Sequence, residues 1–161
     1  MPTVAPDVIV RPLGGKDRSL ADQVGLFQLV LVVLDPYTYE SSWVLETAGR
    51  ILTNFMGADC RAAFMVTAGE KETREFLGPW SERLMVFCDP DRVFVKAADI
   101  HELPAFVHIE HDCTIAGKAE GWDPETWRPI ADNIGRIMSW STPQFPIAGD
   151  PVPFAGTPAL P

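Results

Sequence analysis

Phe27-Gln28-Leu29-Val30-Leu31-Val32-Val33-Leu34 is the run that most restricts how this chain can fold. It has the length of a strand and does not alternate between polar and apolar positions. A strand of that kind is covered on both faces, so it sits in the middle of a sheet with helices on either side. It ends at Asp35-Pro36, and the turn Tyr37-Thr38-Tyr39-Glu40-Ser41 leads into a helix from about Ser42 to Phe55. Trp43, Leu45, Ala48, Ile51, Leu52 and Phe55 recur there at helical spacing, and Gly57 stops it.

With that run as strand A, the remaining elements follow from pattern. Val8–Leu13 is a short strand, Gly14-Gly15 is a turn, and Ser19–Gln23 reads as a helical turn or an extended connector. Strand B is Arg61–Thr67. A polar helix, Glu70–Leu77, closes at Gly78-Pro79. Strand X, Leu84–Cys88, ends at Asp89-Pro90 and precedes a short helix, Val93–Ile100. Strands C (Ala105–Glu110) and D (Ile115–Ala119) form a hairpin. Asp123-Pro124-Glu125 starts the last helix with an N-cap, a proline at N1 and an acid in the first turn. Crossover helices between A, B and X imply parallel pairing; the C–D hairpin implies antiparallel pairing. The expected fold is α/β: a mixed central sheet in the order X-B-A-C-D, helices on both faces, an N-terminal hairpin and a proline-rich C-terminal tail.

Domain organisation follows from a change in composition near residue 140. Residues 1–140 read as one domain and residues 141–161 as a tail punctuated by Pro143, Pro146, Pro151, Pro153, Pro158 and Pro161. Such a segment is neither helix nor central strand. It reads either as a loosely docked or disordered terminus, or as an arm laying Phe145, Ile147 and Phe154 on its own domain or a neighbouring subunit.

Composition excludes several function classes. Of the 161 residues, 47% are hydrophobic, which supports a real core, and the net charge of −9 argues against nucleic acid or an anionic membrane as partner. No apolar run reaches the roughly 18 residues of a membrane span. The N-terminus shows no secretory pattern, and Cys60, Cys88 and Cys113 are widely spaced without C-x-x-C. Reduced thiols and a cytoplasmic location are the expectation.

The order of elements resembles the thioredoxin-like superfamily, specifically its redoxin branch of TlpA/ResA-type reductases and peroxiredoxins. The resemblance covers roughly residues 7 to 140. Gly14-Gly15, Ser19-Leu20-Ala21-Asp22 and Gly25 before Leu29-Val30-Leu31-Val32 look like the redoxin lead-in. Leu84 to Pro90 looks like the extra strand that redoxins insert, and Leu103-Pro104-Ala105-Phe106-Val107 resembles the cis-proline loop. Ile115 to Gly121 and Trp122 match the closing hairpin.

The resemblance implies a thiolate at the start of the helix after strand A, where a helix N-terminus lowers a cysteine pKa. This chain has no sulfur there. Thr38-Tyr39-Glu40-Ser41 aligns with the C-x-x-C slot, and the register shifted by one gives Tyr39-Glu40-Ser41-Ser42. Against the peroxiredoxin turn, Thr38 matches the threonine and Ser41 the peroxidatic cysteine. A serine hydroxyl forms no mixed disulfide, so the turn reads as vestigial, with Thr38, Ser41 and Ser42 as helix caps. No cysteine pair looks bridgeable; Cys88 is the one candidate thiol at the same end of the sheet as the turn.

Other constellations are weaker. His108, His111 and Cys113 give H-x-x-H-x-C, but residues three apart on a strand face opposite sides, so no metal site is expected. His101 lies near the proline loop, and nothing implies a cofactor. Two functions compete. One is a redox-inactive binding, structural or assembly module that holds a protein or peptide, or a second copy, at Tyr37, Thr38, Tyr39, Leu103 and Pro104. The other is an enzyme: a thiol oxidoreductase or peroxiredoxin-like protein using Cys88, or an unrelated activity at the Tyr/Thr/Glu turn.

Overall fold

The computed structural model describes residues 2–161. In chain order its elements are β1 (Ile9–Pro12), β2 (Arg18–Ser19), α1 (Leu20–Val24), β3 (Gln28–Leu34), α2 (Tyr39–Trp43), α3 (Leu45–Asn54), β4 (Cys60–Val66) and α4 (Glu70–Leu77). They continue with α5 (Trp80–Arg83), β5 (Met85–Cys88), α6 (Val93–Ala97), β6 (Glu102–Leu103), β7 (Ala105–Ile109), β8 (Ile115–Glu120), α7 (Pro124–Ile137) and β9 (Thr157–Pro158).

The main sheet runs β2-β1-β5-β4-β3-β7-β8. β3 is parallel to β4 along its whole length, from Gln28↔Cys60 to Leu34↔Val66. β4 is parallel to β5, whereas β7 is antiparallel to both β3 and β8. The sheet is therefore mixed, as expected. Helices cover both faces of β3, which is why it carries no polar alternation.

Period-two geometry splits the side chains of β3 between two cores. Val30, Val32 and Leu34 pack with Val44, Ala48, Ile51 and Leu52 beside α3, and with Trp127, Ile130 and Ile134 of α7. Leu29, Leu31 and Val33 pack on the other face with Leu20 and Val24 of α1 and with Phe94 and Val95 of α6. Fully burying one such side chain stabilises by about 1.5–3 kcal/mol relative to exposure, so a polar substitution on either face of β3 would strike a core.

Three local features differ from the sequence expectation. The helix expected from Ser42 to Phe55 is two helices, because Val44 (φ −96°, ψ 0°) breaks the run between α2 and α3. The four-residue helix α5 falls where Gly78-Pro79 suggested only a stop. A second, two-stranded sheet pairs β6 with β9, which lies in the proline-rich tail.

Candidate functional site

The turn after β3 is organised by a buried carboxylate. Asp35 accepts the Tyr37 amide at Oδ1 (3.0 Å), and its carbonyl accepts the Thr38 hydroxyl (3.1 Å). This is an Asx-type turn, in which the side chain stands in for a backbone partner. Thr38 occupies the N-cap position of α2, but its side chain makes no capping bond. Ser42 donates to the Tyr39 carbonyl (2.6 Å), and Ser41 accepts the Asp35 amide (2.9 Å). The expected capping role therefore fails for all three residues: local turn bonds and a buried backbone donor compete for their hydroxyls.

Ser41 points inward while its neighbours point out. Ser41 is 0% exposed, whereas Tyr37, Tyr39 and Trp43 are 69%, 79% and 55% exposed. Thr38 and Glu40 are half-buried. The position that resemblance aligns with a sulfur thus holds a hydroxyl already engaged by the backbone, under an aromatic rim.

β7 brings the proline loop beside this turn, since Val33 pairs with Ala105. The Leu103–Pro104 peptide bond is cis, and the Pro104 carbonyl accepts the Gly121 amide (2.8 Å). Leu103 and Pro104 are not open to solvent in this arrangement. Both are buried, and β6 is paired antiparallel with β9: Glu102↔Pro158 and Leu103↔Thr157.

The tail reaches that position through a series of specific contacts. Asp150 takes both Arg50 guanidinium nitrogens (2.8 Å each) and the Thr47 hydroxyl (2.7 Å). The Arg50 guanidinium and these hydrogen bonds hold the Asp150 carboxyl down, to a pKa of about 2. Phe145 is buried near Trp122 (6.1 Å), and Trp122 donates its indole N–H to the Pro151 carbonyl (2.9 Å). Phe154 exchanges two backbone bonds of 2.9 Å with Trp122 and sets its ring edge-on to Trp43 (5.5 Å). Ile147 stays exposed.

Arg92 links the two halves. It pairs with Asp35 (3.3 Å) and donates to the Ala159 carbonyl. Its left-handed backbone (φ 57°) lies just before α6, whose first amides, Val93, Phe94 and Val95, are accepted by buried Asp89 at 2.9, 3.1 and 3.2 Å. Burial raises the Asp89 pKa, outweighing the opposite pull of those three bonds. Sequence reading passed over Arg92. Asp89-Pro90 marked a strand end, but a lone arginine beyond it carries no pattern.

The cysteines lie apart from the turn. They form no disulfide among the described residues, and all three are buried. Cys88, at the end of β5, is two strands from β3, or about 10 Å laterally. Its Sγ lies 3.6 Å from the Thr73 hydroxyl, and burial pushes its thiol pKa up. Burial likewise raises Cys60, to about 11, and Cys113. A raised thiol pKa leaves little thiolate at neutral pH.

The histidines also diverge. His108 is buried with Nε2 2.7 Å from Gln28 Oε1, and burial lowers its pKa to about 4. Its Nδ1 has no hydrogen-bond partner among the described residues. His111 Nδ1 instead meets the Val24 carbonyl (2.7 Å), and exposed His101 pairs with Asp99 (3.1 Å). No group of three or more His, Cys, Asp or Glu side chains comes together among the described residues. No helix among them is long and apolar enough to cross a membrane.

No family model matches the chain, and no curated protein matches it. Solved structures do. MTB dsbF, seen in mixed oxidized and reduced forms, is 12% identical with a TM-score of 0.65, over 84% of this chain and 99% of that one. A secreted Mycobacterium tuberculosis disulfide oxidoreductase homologous to E. coli DsbE is 14% identical with a TM-score of 0.58, over 81% and 96%. The bacterioferritin comigratory protein of Xanthomonas campestris, studied for alkyl peroxide reduction, is 11% identical with a TM-score of 0.64, over 88% and 98%.

The fold is thioredoxin-like.

On this thioredoxin-like scaffold the turn after β3 and the loop at Pro104 adjoin. The first offers exposed aromatic side chains around a buried serine; the second is covered by the chain's own C-terminal strand.

Proposed function

We propose that this chain is a binding or assembly module on a thioredoxin-like scaffold, without thiol exchange at the turn after β3. The observation that carries the reading is Ser41: a buried hydroxyl accepting the Asp35 amide, at the position aligned with a reactive sulfur. A hydroxyl in that bond neither ionises near neutrality nor forms a mixed disulfide. Exposed Tyr37, Tyr39 and Trp43 support a protein or peptide partner, since rigid amphipathic rings give contact area at low entropic cost. The acidic balance of the chain disfavours nucleic acid. Buried, unpaired thiols support a reducing compartment such as the cytoplasm. Self-association through the aromatic rim belongs to the same reading.

A second reading is a thiol oxidoreductase or peroxidase acting through Cys88. Its support is that solved neighbours of the fold include a disulfide oxidoreductase and a protein studied for alkyl peroxide reduction, together with the position of Cys88 at the turn's end of the sheet. Insulin reduction and peroxide consumption by the full chain separate the two. The binding-module reading expects no turnover in either assay, with a Cys88→Ser variant indistinguishable from wild type. Turnover that Cys88→Ser abolishes would establish the second reading instead.

A further inference from the structure

The edge at Glu102–Leu103 holds the chain's own C-terminal strand as an extended peptide. Beyond the β6–β9 pairing, the Ala159 amide donates to the His101 carbonyl (2.9 Å), and the Thr157 hydroxyl donates to the Leu103 carbonyl (3.3 Å). Arg92 holds the Ala159 carbonyl from the other side. Side-chain size is restricted along the segment. Ala159 is fully buried, and a Cβ on Gly156 would sit 2.8 Å from both the Leu103 carbonyl oxygen and Glu102 Cβ. Gly121, at φ +75°, lies so close to the segment that a Cβ there would be 2.9 Å from the Phe154 carbonyl oxygen. Phe154 adds an aromatic anchor on Trp43.

We propose that residues 154–159 are a built-in occupant of a strand-accepting site, and that the site takes a partner's extended, uncharged segment when the tail leaves. The partner pattern is written in the occupant: an aromatic residue, then glycine two positions on, then Thr-Pro and a small residue. From Ser139 onward the tail has a single charged residue, Asp150, so the occupant itself is uncharged. The buried Asp150–Arg50 contact anchors the chain upstream, so the segment beyond it can peel away without releasing that anchor. The ladder itself is only two residues long and marginal alone; the bonds of Ala159 to His101 and Arg92 and of Phe154 to Trp122 complete the hold and must part for the site to open. Opening would bare Leu103 and the β6 backbone beside Tyr37, Tyr39 and Trp43, joining the two halves into one binding surface.

The proposal rests on the binding-module reading above, but a peptide titration does not respond to thiol turnover, so either can fail alone. The probe is a fluorescent synthetic peptide spanning residues 152–161, titrated into full-length wild type and into full-length Gly156→Leu and Phe154→Ala variants whose folding is checked by circular dichroism. Because a tethered occupant competes at an effective concentration of order mM, folded variants should bind the peptide at least ~10-fold more tightly than wild type. The same peptide carrying Gly156→Leu should lose that binding. Folded variants that bind no better than wild type, or that bind the leucine-bearing peptide equally well, would overturn the proposal.

Discussion

The turn after β3 and the loop at Pro104 lie side by side, yet they are finished in opposite ways. At the turn, Ser41 accepts the Asp35 amide and the Asp35 carboxylate accepts the Tyr37 amide, both side chains facing inward, and Tyr37, Tyr39 and Trp43 are left outside. At the proline loop, the backbone of β6 is what a partner would need, and β9 already occupies it. The side-chain hydrogen bonds that shape the first half lie within eight residues of sequence, Asp35 to Ser42. The other depends on contacts between residues more than fifty apart. Local order and long-range order thus meet at one site, with Arg92 touching both through Asp35 and Ala159.

Three perturbations break or sharpen this contrast. The largest acts on β7, the strand that carries Pro104. His108 has its pKa lowered to about 4 by burial, below its unfolded value, so the unfolded chain binds the extra proton first. Stability should therefore fall as pH drops from about 6.5 to about 4, by on the order of 3 kcal/mol. Urea titrations across that range should show the loss, and a His108→Gln variant should flatten it. A wild-type curve that is flat there would contradict the burial of His108 against Gln28.

Next is the open half. Ser41→Ala leaves the buried Asp35 amide without its acceptor, a loss of about 1–3 kcal/mol. Hydrogen exchange should speed up at Asp35 and Tyr37 but not at Leu103. Equal acceleration at all three would mean that the two halves are one cooperative unit rather than two differently built ones.

The smallest acts on the closed half. Asp150 is held at a pKa of about 2, below its unfolded value, so its contribution is present above about pH 4 and is lost as pH falls towards 2. With Arg50 half-exposed, solvent screening limits that contribution to about 1 kcal/mol. Below about pH 4 the wild-type tail should become more susceptible to an acid-active protease than the turn, and Asp150→Asn should show that susceptibility already at neutral pH. Unchanged cleavage in the variant would relocate the anchor of the tail to Phe145 and Trp122.

Much of the frame could be read from pattern. The Glu70–Leu77 helix has its expected bounds, and the helix begun by Asp123-Pro124 starts where its capping signal lies. The unalternating run at Phe27–Leu34 lies mid-sheet. What pattern missed shares a physical cause. Thr38 and Ser42 have the chemistry of caps, but competing acceptors in the turn took their hydroxyls. Leu103 reads as a surface residue until β9 covers it. Arg92 has no periodicity to mark it, and its role exists only because Asp35 and Ala159 converge there.

The sequence by itself determined the layered α/β arrangement and the lack of sulfur in the turn after β3, because side-chain period and residue identity are local properties. Only the tertiary structure decided that Ser41 is turned inward and that the proline side of the site is closed. A tail with a proline at nearly every third position carries no helical or strand period. Its hydrogen bonds to β6 become visible only once the chain has folded back to bring Thr157 beside Leu103.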